Sequence, residues 1–309
     1  MTRRALATLT AALALGATAA CGEPASGFSD NGKLDVVTAF YPLEFLSSRI
    51  GGEAVAVTEL TKPGAEPHDV ELNPRQVGQV ADAGLVVYLK GFQPAVDEAV
   101  AQEAADKAFD AGSAVELLPA TEHEHEPGEE EHAESSGGRD PHVWLDPVRF
   151  ATISDQLAVR LGQADPARAA EFTTRAQALH AELDKLNAEF AQALKTCERR
   201  AIVTSHAAFH YLADRYGLTE VGITGISPEA EPSPQRLAHV AEEAKATGTT
   251  TIFFETLVSP KVAETIAREV GAKTAVLDPL EGLTEPGADY FSVMRSNLTA
   301  LTTALGCTS

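Results

Sequence analysis

Three histidines and one aspartate stand where parallel strands and their loops are expected to end. His68 lies in the loop Glu-Pro-His-Asp-Val after the second predicted strand, and His206 closely follows the apolar run Ala-Ile-Val-Thr. His142 lies within Asp-Pro-His-Val-Trp-Leu-Asp-Pro, and Asp278 directly follows Thr-Ala-Val-Leu. Because ligand sites of open α/β sheets lie beyond the carboxyl ends of the strands, we expect these four side chains to converge.

Three imidazoles and one carboxylate suit Zn²⁺ in a roughly tetrahedral shell. Successive candidates are 74, 64 and 72 residues apart, which excludes a local zinc finger and requires a site formed by the tertiary fold. A nitrogen-rich shell favours zinc over manganese, which prefers more carboxylate oxygen, and Mn²⁺ is kept as the alternative metal. Since imidazoles must be neutral to bind, affinity is expected to fall as the pH drops through about 6.5.

The surrounding segments alternate between β-rich runs and helical patterns. Strands are expected at 34–39, 54–60 and 84–89, and again at 201–204, 220–223, 250–254 and 273–277. This alternation predicts an α/β fold with two lobes, each with a mainly parallel sheet, and a metal site in the cleft between them. The lobes are expected at 34–164 and 198–309. Apolar residues recur at steps of three and four from Phe172 to Leu194, which predicts one rigid linking helix at 165–197.

The N-terminus has the pattern of an export signal. A short basic start precedes an apolar run that ends in Ala-Ala-Cys-Gly, so residues 1–20 are interpreted as a signal peptide. The cysteine after it resembles the lipidation site of bacterial lipoproteins, which makes Cys21 the expected lipid anchor and 21–33 a flexible tether. The protein is then expected on the outer face of the cell membrane, held there only by its lipid.

The net charge, an acidic segment and the cysteines give further indications of the kind of protein. Lys plus Arg is 24 and Asp plus Glu is 45, a net charge of −21 that disfavours binding to nucleic acid. Residues 121–138 hold seven Glu and three His without a large apolar side chain, which predicts a disordered loop. Its His123, His125 and His132 either capture metal weakly or belong to a solvated acidic segment. Cys197 and Cys307 form either a disulfide or two buried thiols.

Several segments resemble the zinc/manganese cluster of metal-binding lipoproteins that serve ABC importers. The segments, which span nearly the whole mature chain in order, are Phe-Tyr-Pro-Leu at 40–43, Pro-His-Asp-Val-Glu at 67–71, Asp-Pro-His-Val-Trp-Leu-Asp-Pro at 140–147, Ser-His-Ala-Ala-Phe at 205–209, Glu-Ala-Glu-Pro-Ser-Pro at 229–234, Phe-Phe-Glu at 253–255 and Leu-Asp-Pro-Leu-Glu-Gly at 277–282. The resemblance implies two lobes joined by a long helix, metal ligands at His68, His142, His206 and Asp278, and delivery to a membrane permease. It also implies a disulfide in lobe two, as some members have.

We therefore expect a monomeric zinc-capture protein that is not an enzyme. The rival interpretation from another class is a secreted zinc hydrolase, in which Glu281 would act as the base. A third interpretation is a metal-dependent adhesin, which differs from the zinc-capture protein only in the partner that it binds. His210, which is unusual for the family, is expected to flank the site. The remaining nearby acids either orient ligands or are ordinary loop charges; they are Asp69, Glu255 and Glu281. We expect the last two histidines, His180 and His239, on the surface.

Overall fold

The structure is a computed structural model that describes residues 27–120 and 138–308. The expected signal peptide, Cys21 and the three histidines of the acidic loop lie outside these residues. Among the helices of the described ranges, each is too short or too polar to cross a membrane.

The first half of the chain forms a parallel four-stranded sheet. Its strands are β1 (Leu34–Thr38), β2 (Val55–Glu59), β3 (Leu85–Tyr88) and β4 (Ala108–Asp110), in the spatial order β2-β1-β3-β4. The connecting helices are α1 (Tyr41–Gly51), α2 (Pro74–Asp82) and α3 (Pro94–Glu103). Helix α2 begins at a capping box, in which Asn73 and Gln76 satisfy each other's backbone N–H groups.

The second half repeats this topology. Strands β5 (Ala201–Thr204), β6 (Thr219–Gly222), β7 (Thr251–Phe254) and β8 (Lys273–Val276) pair in parallel in the order β6-β5-β7-β8. The helices are α6 (His210–Tyr216), α7 (Pro234–Ala246), α8 (Lys261–Val270) and α9 (Tyr290–Leu305). The expected α/β class with two mainly parallel sheets is therefore confirmed.

The connection between the halves consists of two helices, α4 (Pro147–Ala164) and α5 (Ala169–Ala193). The expected continuous helix at 165–197 is shorter at both ends: a 3₁₀ turn occupies Pro166–Arg168, and α5 has 25 residues, roughly 37 Å in length. A residue before proline disfavours helical backbone, which explains why α4 ends before Asp165. Helix α5 is tied to both halves by ion pairs, Arg49 to Glu182 at 2.5 Å and Arg295 to Glu189 at 2.8 Å.

One apolar core continues from the first sheet through α4 and α5 to α9, because Phe172, Leu183 and Phe190 of α5 are fully buried in it. A smaller core lies between the second sheet and helices α7 and α8. Cys197 and Cys307 form a disulfide, which confirms the expected pairing and joins the chain just after α5 to the segment just after α9.

Candidate metal centre

Four buried side chains converge between the two sheets: His68, His142, His206 and Glu281. Each offers one donor atom, and the four donor atoms lie within 4.8 Å of one another. The Glu281 Oε1 lies 3.2 Å from the Nε2 atoms of His142 and His206, and 3.4 Å from that of His68. A tetrahedral ion with bonds of about 2.0–2.1 Å has ligands about 3.3–3.4 Å apart, so these spacings fit such a shell.

The first half supplies His68 and His142. His68 lies on the loop after β2, where its backbone N–H donates to Glu66 Oε1 at 2.9 Å. His142 precedes a 3₁₀ turn at Val143–Leu145. The Asp140 carboxylate accepts hydrogen bonds from both the backbone N–H (2.9 Å) and Nδ1 (2.8 Å) of His142, which leaves Nε2 directed at the cluster.

The second half supplies His206 and Glu281. His206 lies just beyond β5, and its Nδ1 is 2.8 Å from Oε1 of Glu255, the residue that directly follows β7. The same Glu255 oxygen accepts the hydroxyl of Ser205 at 2.7 Å. A carboxylate on the second ring nitrogen fixes the orientation of an imidazole and directs its other nitrogen to a metal. The suggested orienting role of Glu255 therefore has a geometric basis.

Asp278 lies outside the cluster, contrary to the expected ligand set. Its Oδ1 accepts the N–H of Leu280 at 2.8 Å and its Oδ2 accepts the hydroxyl of Thr256 at 2.9 Å. Its two oxygens are thus engaged by the turn after β8 and by the loop after β7. The carboxylate that joins the histidines is Glu281, three residues later, which sequence reasoning considered only as an orienting group or a base.

Burial and neighbouring charges shift the pKa values of the histidines in different directions. Burial lowers the pKa of His68. Burial also opposes protonation of His142, but hydrogen bonds with Asp140 and Glu281 outweigh it and raise its pKa to about 9. In the same way, the charges of Glu255 and Glu281 outweigh burial and hold the pKa of His206 well above its usual value.

The carboxyl of Glu281 remains ionised. Burial raises its pKa, but the neighbouring histidines, His206 first, outweigh burial and hold it well below the usual value. Within the part of the chain that the structure describes, its Oε2 is buried without a hydrogen-bond partner. Since buried polar atoms normally have partners, an ionised carboxylate with a free oxygen beside three imidazoles is a donor set that fits a divalent metal.

The remaining candidates are outside this cluster. His210 is 3.4 Å from Asp140 Oδ2 and so flanks the orienting carboxylate of His142. His180 and His239 are partly exposed and face acidic residues of their surroundings, as expected for surface groups. Asp69 is exposed. Sequence reasoning missed Glu66, whose burial and proximity to Glu281 raise its pKa to about 8.

The sequence and the fold of the chain match those of known proteins. The model of the family "zinc-uptake complex component A, periplasmic" (ZnuA) matches residues 36–304. The zinc-binding protein AdcA of Streptococcus pyogenes serotype M3 is 37% identical over 286 residues, and the match covers 87% of this chain. It covers 56% of AdcA, so the chain spans little more than half of that relative.

Two further proteins match over nearly their whole length. The high-affinity zinc uptake system protein ZnuA of Bacillus subtilis is 35% identical over 298 residues, with 93% of each chain covered. The structure of the laminin-binding protein Lmb of Streptococcus agalactiae, described as bifunctional with adhesin and metal-transporting activity, superposes with a TM-score of 0.77. It is 32% identical, and the match covers 88% of this chain and 99% of Lmb. The names of these relatives describe zinc binding, zinc uptake and metal transport. The chain belongs to the ZnuA family of zinc-uptake components.

Proposed function

We propose that this protein captures Zn²⁺ outside the cytoplasm and delivers it to the permease of an ABC importer. The observation that carries the proposal is the convergence of three imidazole nitrogens on one ionised carboxylate in a buried site. Membership of a zinc-uptake family supports the transport role. Delivery to a permease also follows from the family and is part of the proposal.

The proposed ligands are His68, His142, His206 and Glu281. The first three are those expected from the sequence, and Glu281 replaces Asp278 because its carboxylate, unlike that of Asp278, belongs to the cluster formed with all three histidines. Four protein ligands fill a tetrahedral shell, whereas a zinc hydrolase keeps one position open for a water molecule. The site therefore favours binding over hydrolysis.

Zinc is favoured over manganese by the donor atoms. Three of the four donors are imidazole nitrogens, which suit Zn²⁺, while Mn²⁺ favours carboxylates and other oxygen donors. The spacing between Glu281 and the histidines also matches a small tetrahedral ion. Manganese is the alternative cargo, and it would require further oxygen ligands around the same histidines.

The proposed location of the protein depends on residues 1–21, which lie outside the described part of the chain. We propose that residues 1–20 are removed, that Cys21 carries the lipid and that the protein works as a monomer on the outer face of the membrane. The Ala-Ala-Cys-Gly sequence supports the lipid site. Conversion of Cys21 to Ser should release the protein from the membrane fraction; retention there would contradict lipidation.

The loop histidines remain a proposed site of weak capture. His123, His125 and His132 lie among seven Glu residues, a composition that concentrates cations. Deletion of 121–136 should leave one tight site and lower the total zinc stoichiometry. An unchanged stoichiometry would leave the loop without a metal-binding role.

Metal analysis of the purified chain tests the proposed function directly. Mass spectrometry of the protein from zinc-containing medium should find one tightly held Zn²⁺. The variants His68→Ala, His142→Ala, His206→Ala and Glu281→Ala should each weaken binding strongly. His239→Ala, which removes an exposed imidazole, is the matched control and should bind like the wild type. Equal effects of His142→Ala and His239→Ala would show that the site is misassigned.

Adhesion is a second candidate function, and the similarity to Lmb supports it. Binding of the purified protein to immobilised laminin, with and without zinc, tests this role. No binding in either state would leave capture and delivery as the function.

A further inference from the structure

We propose that Asp278 and Asn297 are positioning residues for Glu281: together they hold the turn after β8 so that its carboxylate meets the three histidines. This inference rests on the proposed zinc site. It assigns Asp278 a role in zinc binding through the backbone rather than through coordination.

Asn297 holds the start of the turn from helix α9. Its Oδ1 accepts the backbone N–H of Asp278 at 2.9 Å, and its Nδ2 donates to the backbone carbonyl of Asp278 at 2.7 Å. The Asn297 side chain is 2% exposed, so water offers little competition for these bonds. The amide therefore fixes the peptide groups on both sides of Asp278.

Asp278 extends this hold towards Glu281. Its Oδ1 accepts the N–H of Leu280, and its Oδ2 accepts the hydroxyl of Thr256 from the loop after β7. The next carbonyl, that of Pro279, accepts Nε1 of Trp144 at 2.7 Å. Thus each of the three residues before Glu281 has a backbone group bound by a side chain.

Leu280 shows why such a hold is needed. Its φ is 61°, and within 27–120 and 138–308 it is the single non-glycine residue with a positive φ. A branched side chain disfavours this left-handed backbone, which persists only where the surroundings determine it. Leu280 is fully buried, and its N–H is bound by Asp278. Loss of that bond would let the turn relax and carry the next residue, Glu281, away from the histidines.

Two substitutions at Asp278 separate positioning from coordination. In Asp278→Asn, the amide oxygen can still accept the Leu280 N–H, and the amide nitrogen can donate to the Thr256 hydroxyl. In Asp278→Ala, both bonds are lost. We expect the Asn variant to bind zinc within about threefold of the wild type and the Ala variant about 10–100-fold more weakly, as is typical for residues that support a ligand.

Absorption of the Co²⁺-loaded protein provides a readout that a general loss of stability would not change. At saturating Co²⁺, the wild type and Asp278→Asn should show the intense visible bands of a four-coordinate site. Asp278→Ala should show shifted and weaker bands, because more than one water molecule enters when Glu281 is displaced and raises the coordination number above four. Glu285→Ala, which removes an exposed carboxylate from the same loop, is the control and should match the wild type.

Thr256→Val provides a second test of the same hydrogen bonds if the Asp278→Ala variant does not fold. Thr256 is exposed, so its loss removes one bond to Asp278 with little risk to the core. It should weaken zinc by a few-fold. Asp278→Asn as weak as Asp278→Ala would overturn the inference in favour of direct coordination, and unchanged affinity in both Asp278→Ala and Thr256→Val would overturn it altogether. A wild type that does not bind zinc would instead remove the proposed function itself.

Discussion

His206 and Glu281 face each other in the buried site, with Nε2 of the imidazole 3.2 Å from Oε1 of the carboxylate. On its other side, the Nδ1 of His206 lies 2.8 Å from Glu255. An imidazole between two carboxylates favours its protonated form, and this explains the direction of its pKa. Without metal, the site is therefore a cluster of ion pairs whose imidazole protons zinc must displace.

Zinc binding should release protons at neutral pH. The pKa of His142 is raised to about 9 and that of His206 is also raised, while that of His68 is lowered, so roughly two imidazoles must lose a proton when the metal binds at pH 7. Affinity should accordingly increase from pH 6 towards pH 9, a higher window than the one near 6.5 expected from unperturbed histidine. Calorimetry in buffers of different ionisation enthalpy measures the released protons. Binding enthalpies that are identical in all buffers would contradict the release of protons on zinc binding.

The raised pKa of His142 has the opposite consequence for the stability of the metal-free protein. A raised value in the folded state stabilises the fold below the unfolded pKa, and that contribution is lost as the pH rises through about 9.

Asp140→Ala should weaken zinc by about 10–100-fold, because it removes the carboxylate that orients His142. Asp155→Ala is the matched control: Asp155 lies at the same 2.8 Å from the Nδ1 of His180, but that pair is on the surface. Competition with a chromophoric zinc chelator measures both affinities. Equal affinity of the two variants would show that Asp140 does not support the site.

Asp146→Ala should lower the free energy of unfolding by about 2–4 kcal/mol, since it breaks a buried pair whose arginines are partly solvated. The Asp146 carboxylate is fully buried, caps the start of α4, and binds Arg149 and, from the second half of the chain, Arg215, each at 2.7 Å. Urea denaturation checks the change. Glu269→Ala, which breaks an exposed pair with Lys245, should change stability by less than about 1 kcal/mol.

Replacement of Cys197 and Cys307 by Ser should lower the free energy of unfolding by roughly 2–5 kcal/mol, because the disulfide closes a long loop across a sequence separation of 110. The stoichiometry of tightly held zinc should stay at one, since neither cysteine is part of the cluster. Thermal unfolding with and without reductant checks this, and the double Ser variant should be insensitive to reductant. A wild type equally stable in reductant would refute the contribution.

The sequence predicted seven of the eight described strands, all but β4, and the convergence of the three histidines, because both depend on local patterns. Apolar runs determine β1 and β5, and His68, His142 and His206 occur on loops near the ends of such runs. The sequence did not indicate Glu281 as the carboxylate of the cluster, which is now the proposed fourth donor. Its position depends on Leu280 in a left-handed conformation, which is maintained by Asn297, 19 residues beyond Asp278, and by Trp144, 135 residues before Pro279. Contacts of this kind arise only from packing.

His68 differs from its three neighbours in its contact with water: it is 8% exposed, whereas His142 and Glu281 are fully enclosed and His206 is 1% exposed. The ring of His68, on the loop after β2, is therefore the part of the site nearest to solvent. On the proposed function, we expect a metal ion to enter and leave beside this ring, so that His68 is the first ligand bound and the first released.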